Sequence, residues 1–93
     1  MSAACPTFGF VVTITPAATT SALQRDALVG DLVDLLERND LALAERPRLR
    51  FVVSRDGTQA THSDRELVMT WARRWESYAA IAVGDLMDLS RTA

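Results

Sequence analysis

In "RLRFVVSRDG", Arg48–Gly57, the apolar residues Leu49, Phe51 and Val53 alternate with Arg48, Arg50, Val52 and Ser54. A two-residue period is the mark of a β-strand, here with one apolar side and one partly charged side. Asp56-Gly57 supplies a turn signal at its end. A strand that is dry on one side and wet on the other needs cover on the dry side only, so the expected architecture has two layers.

The flanking segments supply the rest of those layers. Upstream, "LALAERPR" reads as a connection containing Pro47, and "FGFVVTITP" places Phe8, Phe10, Val12 and Ile14 on one side of an earlier strand that Pro16 stops. Between them "AATTS" offers hydroxyls for an N-cap. The segment from Ala22 to about Arg38 then repeats Leu28, Val29, Leu32, Val33, Leu35 and Leu36 at helical spacing. Asn39 is placed to close this helix in a left-handed conformation, and Asp26, Asp31, Asp34 and Glu37 give it an acidic outer face.

Downstream lies "THSDRELVMTWARRW", Thr61–Trp75. Ser63 and Glu66 have capping-box spacing, Asp64 puts negative charge in a first turn, and Leu67, Val68, Trp71 and Trp75 form one apolar stripe. In "ESYAAIAVGDLMDLS", Ile81 and Val83 fall on one side of a third strand, and Asp85 is placed to cap a short closing helix bearing Leu86, Met87 and Leu89. The expected fold is a small two-layer α/β (α+β) sandwich. Its order is strand, helix, strand, helix, strand and short C-terminal helix, with a three-stranded sheet and both longer helices on one face. Strand order and direction stay open at this level. Met1–Thr7 reads as a flexible tail, and residues 8–93 as a single domain.

Composition narrows the function classes. With 93 residues, 48% of them hydrophobic, the chain has material for one modest core. A net charge of −2 and a pI near 5.2 give no overall pull toward a polyanion, so any nucleic-acid contact must be local. The lone Cys5 has no partner for an intramolecular disulfide or a thiolate metal site. The first residues lack a signal-peptide pattern, and no run approaches the roughly 18 to 20 apolar residues of a membrane span. A cytoplasmic location without membrane contact is expected.

No chemistry motif emerges, and no cofactor, metal or small-molecule substrate is expected. Phosphate-cradling glycine loops are missing from the sequence. His62, Ser63 and Asp64 are adjacent near a helix start, where neighbouring side chains do not converge as nucleophile, base and orienting acid must. A pocket gathering His62, Tyr78 and a carboxylate would reverse that reading. The informative cluster is Arg46, Arg48 and Arg50, followed by Arg55, with Glu45 and Asp56 the only nearby counter-charges in sequence. Alternation aims Arg48 and Arg50 at the open side of the sheet, with Arg46 and Arg55 flanking in loops. These four are the candidate partner-binding residues, and all ten basic residues of the chain are arginine, whose rigid fork suits phosphate. The open side offers no aromatic residue for base stacking.

The order of these segments resembles the YggL family, bacterial proteins associated with the large ribosomal subunit. The likeness runs from Gly9 to Leu89. It rests on a "GF" in the first strand, Thr20-Ser21 before the first helix, and Asn39 and Leu41 after it. A Thr61-initiated helix with a Val68-x-x-Trp71 step and a final Asp85-Leu86-x-Asp88 turn complete it. Where family members begin with a basic arm and close with tryptophans, this chain has "MSAACPT" and Ser90-Arg91. The resemblance implies a non-enzymatic ribosome-associated protein, and the arginine patch is the surface expected to touch ribosomal RNA or protein. The alternative class is a small protein-protein adaptor or homodimer using a sheet edge or the acidic first helix.

Overall fold

The alternation in Phe8–Pro16 makes that segment the centre of the sheet. A computed structural model describes residues 8–55 and 59–89. Its elements are β1 (Phe8–Pro16), α1 (Ala22–Arg38), β2 (Ala42–Arg46), β3 (Arg50–Ser54), α2 (His62–Arg74), β4 (Ala79–Val83) and β5 (Met87–Asp88). The expected tail Met1–Thr7, with Cys5, and the Asp56-Gly57 turn lie outside the described residues.

Phe10, Val12 and Ile14 of β1, Phe51 and Val53 of β3 and Ala79 of β4 are buried together with Leu28, Leu32 and Leu36 of α1 and Val68 and Trp71 of α2. The strand residues in this set share one parity, so both helices cover the same face, as the alternation implied. Each large side chain buried here contributes about 1.5–3 kcal/mol, more than any single cap, so this apolar layer fixes the fold.

The sheet is larger than the three strands expected. Among the described residues it has five antiparallel-paired strands in the order β2-β3-β1-β4, with β5 also on β1. The segment read as a connection forms β2, which pairs Ala42 with Ser54 through to Arg46 with Arg50. Its Ala-Leu-Ala-Glu-Arg sequence has no β-branched residue and only Leu43 packs against the core, so the strand exists by virtue of its pairing with β3.

Among the described residues, 85–88 do not form the closing helix expected from Asp85. Val83 pairs with Val12 and Met87 with Gly9, so Gly84, Asp85 and Leu86 stand opposite only Phe10 and Val11. One extra residue on one strand is a β-bulge, and β4 and β5 are thus a single bulged partner of β1. Gly9 sits where this partner and β3 close in. A Cβ there would run into the Val53 carbonyl oxygen and the Leu89 side chain.

The caps also differ in register. α1 begins at Ser21, whose hydroxyl accepts from Gln24 N–H while the Gln24 side chain accepts from Ser21 N–H. At its end Asn39 is not left-handed. Asp40 is, with φ 58°, and the bonds Leu41 N–H to Leu36 O and Asp40 N–H to Glu37 O make a Schellman ending one residue later than expected. α2 begins at Thr61 rather than Ser63, with Asp64 in place of Glu66 as the reciprocal acid.

Candidate functional site

The β2–β3 hairpin builds the surface that carries the arginines. Its register sets Arg46 directly opposite Arg50, and Arg50 in turn is paired with Thr13 of β1 and Thr13 with Ala82 of β4. Arg46, Arg50, Thr13 and Ala82 therefore form one row across the uncovered face. The neighbouring row is Ala44, Val52 and Val11, so nothing else on this part of the face stands taller than valine or threonine.

Arg46 and Arg50 are exposed, and among the described residues neither they nor Arg48 make an ion pair or side-chain hydrogen bond. Like charges placed directly opposite on paired strands oppose folding by roughly 0.2–1 kcal/mol. Arg48 lies at the hairpin tip, not in a strand, and is left-handed with φ 66°, as is Leu49 with φ 56°. Non-glycine residues in that region are held at a cost of about 1–2 kcal/mol each. The Leu49 carbonyl accepts the Ile14 N–H at 3.0 Å and its side chain packs on the core, which locks the tip. The sequence thus assigned Arg46 and Arg48 to the wrong local settings: Arg46 is the strand residue and Arg48 the turn residue.

Arg55 is drawn elsewhere. It lies five residues beyond Arg50, about 16 Å along the strand direction, and its guanidinium holds Asp64 Oδ1 at 2.7 Å. Asp64 Oδ2 accepts the Thr61 N–H at 2.9 Å. Burial pushes the Asp64 carboxyl up, but the Arg55 guanidinium and the Thr61 bonds outweigh it and hold the group below the ordinary range. The Asp64 hydrogen bond in turn raises the Arg55 pKa. Arg55 clamps the end of β3 to the start of α2. Its counter-charge is nine residues away, beyond the local window in which Asp56 was the visible acid.

A second acid was misplaced in the sequence. Asp31, assigned to the solvated face of α1, accepts Trp71 Nε1–H at 2.8 Å and Trp75 Nε1–H at 3.0 Å on one oxygen, with Arg74 at 3.4 Å from the same atom. The two indole bonds, Trp75 first, hold its carboxyl below the usual carboxylate range against a smaller desolvation. Alternation and helical period say which residues point inward but not that an acid on one helix will meet indoles on another.

His62 and Tyr78 are not brought together. His62 opens α2 and Tyr78 follows its other end, so a 13-residue helix of about 20 Å separates them. Among the described residues no group of three His, Cys, Asp or Glu is placed to hold a metal ion, and no helix is long and apolar enough to cross a membrane. The open grooves between α2 and β4 (Met69, Arg73, Ile81) and between α1 and α2 (Leu35, Leu67, Trp71) contain neither His62 nor Tyr78.

Comparison with curated proteins and with solved structures finds no match. The family model described as "YggL 50S ribosome-binding protein" matches residues 6–90. That span covers nearly all of the chain, including every strand, both helices and the arginine hairpin, and the chain belongs to the YggL family of 50S ribosome-binding proteins.

Proposed function

We propose that this chain is a cytoplasmic, non-enzymatic protein that associates with the large ribosomal subunit, contacting it through Arg46, Arg48 and Arg50. The observation that carries the contact surface is the pair of directly opposed guanidiniums, Arg46 and Arg50, on a sheet face that neither helix covers. They weaken the hairpin, and no acidic side chain of the described residues compensates them, which suits a surface completed by an external anion. Arg55 contributes indirectly, by anchoring the strand that bears Arg50.

Sedimentation of cell extract through sucrose gradients at low and high salt tests this. The protein co-migrates with large subunits at low salt and is released as salt rises, and the Arg46→Glu/Arg50→Glu variant stays at the top of the gradient. Wild-type protein that never co-migrates removes the ribosomal reading, and a charge-reversed variant that co-migrates normally removes the patch. The homodimer alternative has one supporting feature, the exposed edge of β2. Light scattering that shows a monomer across concentration excludes it.

A further inference from the structure

We infer that the open sheet face receives the sugar-phosphate backbone of base-paired RNA and reads its shape, not its bases. This rests on the ribosomal reading above and narrows it to one class of ligand.

Two features of the face favour a duplex over a single strand. Recognition of unstacked bases uses aromatic side chains as platforms, and the face is made of Val11, Thr13, Thr15, Ala44, Val52, Ala80 and Ala82 around the two arginines. Tyr78, just ahead of β4, turns its ring to Trp75, with centroids 5.4 Å apart. The same small residues leave a flat surface, which suits the wide, shallow minor groove of A-form RNA and its lines of 2′-hydroxyls.

The row Arg46, Arg50, Thr13 supplies the polar contacts. Directly opposed residues on paired strands have Cβ atoms about 4.5–5.5 Å apart, so two guanidinium forks stand side by side where each can take one phosphate of a backbone. The Thr13 hydroxyl, one strand further, is placed to meet a ribose hydroxyl. A protein ligand fits less well, because the face around the arginines lacks the aromatic or large aliphatic anchor on which protein interfaces depend, and exposed Met87, opposite Gly9, lies four residues along β1 from Thr13. The helix layer behind the sheet has charge of both signs, with Asp26, Asp34 and Glu37 exposed on α1 beside Arg25 and Arg38. In a chain of net charge −2, the open face thus carries Arg46 and Arg50 without an acidic partner among the described residues, and this local positive charge favours a polyanion there.

The test is fluorescence anisotropy with three probes of equal length, an RNA hairpin stem, the DNA duplex of the same sequence and an unstructured single-stranded RNA, run beside pelleting with purified large subunits. The hairpin stem binds at least about tenfold more tightly than either other probe, with little dependence on its sequence. Arg46→Ser/Arg50→Ser lowers the slope of log affinity against log salt by about two. Ala82→Phe is the discriminating variant. An added ring at this exposed strand position lifts the duplex off the face and weakens both stem binding and pelleting, whereas for a single-stranded ligand it adds a stacking platform. Circular dichroism melting verifies that each variant folds. Preference for single-stranded RNA, or unchanged or tighter stem binding by Ala82→Phe, overturns the inference even where the protein pellets with large subunits. A wild-type protein that binds the stem but does not pellet removes the ribosomal reading and keeps the assignment of the face.

Discussion

Asp31 on α1 and Trp71 on α2 are joined by a 2.8 Å hydrogen bond, and the same carboxylate oxygen takes the indole N–H of Trp75 at 3.0 Å. One acid therefore holds the two helices in register over the sheet. Hydrogen bonds to charged groups contribute roughly 1.5–3 kcal/mol when buried and less when solvent screens them, as for a carboxylate that is one-third exposed. Asp31→Ala is expected to lower stability by about 2 kcal/mol and to change tryptophan fluorescence, whereas Asp34→Ala, on the exposed side of the same helix, stays within about 0.5 kcal/mol. Urea titration followed by fluorescence measures both.

The pH dependence follows from the same contacts. Asp31 and Asp64 both have carboxyl pKa values lowered in the folded chain, by the Trp75 and Trp71 indoles for the first and by Arg55 and Thr61, against burial, for the second. A depressed folded pKa adds stability that is complete above the unfolded value, near 4, and disappears as pH falls through the folded value. The urea midpoint should be flat from neutral pH to about 5 and fall steeply below about 4. In Asp31→Asn that acid-side fall is shallower, and an unchanged profile would count against the ionised carboxylate as the acceptor.

Arg50→Thr separates stability from binding. Replacing one of two opposed guanidiniums by a β-branched residue on the wet face raises hairpin stability by a few tenths of a kcal/mol, up to about 1. The same change weakens co-sedimentation with large subunits. A variant that melts lower and still binds normally contradicts the assignment of these charges to a ligand.

Two glycines are expected to respond oppositely to alanine. At Gly9 the new methyl meets the Val53 carbonyl and Leu89, so Gly9→Ala destabilises by about 1–3 kcal/mol. At Gly30, mid-helix with nothing within 4 Å of a new Cβ, Gly30→Ala stabilises by about 0.5–1 kcal/mol. Thermal melts of the pair check the β5 closure against simple helix propensity.

Arg65 guards a sheet edge. From α2 its Nε reaches Gly84 O at 2.6 Å and its terminal nitrogen reaches Val83 O at 3.3 Å, at the exposed end of β4. Arg65→Ala should cost about 1–2 kcal/mol and leave edge carbonyls open to a second chain. Light scattering over a concentration series should then show self-association absent from the wild type.

The elements with a strong period were legible in the sequence. The alternation of Phe10, Val12 and Ile14, the alternation of Phe51 and Val53, and the spacing of Leu28, Leu32 and Leu36 are local patterns of side-chain direction, and they set the layers and the covered face. The family likeness was legible too, because it resides in the order of those elements.

What lay beyond the sequence needed a partner distant along the chain. β2 has no strand pattern of its own and forms because β3 offers a ladder, and that hairpin moved Arg46 into a strand and Arg48 to its tip. "THSDRE" contains two overlapping capping boxes, Thr61 with Asp64 and Ser63 with Glu66, and the one that forms is the first, whose Asp64 also pairs with Arg55. Asp31 looked like any acid on a solvated helix until α2 brought two indoles to it. Periodicity along a chain records which way each side chain faces, whereas a charge, a cap or an edge strand takes its role from what the fold sets against it, and only the tertiary structure holds that.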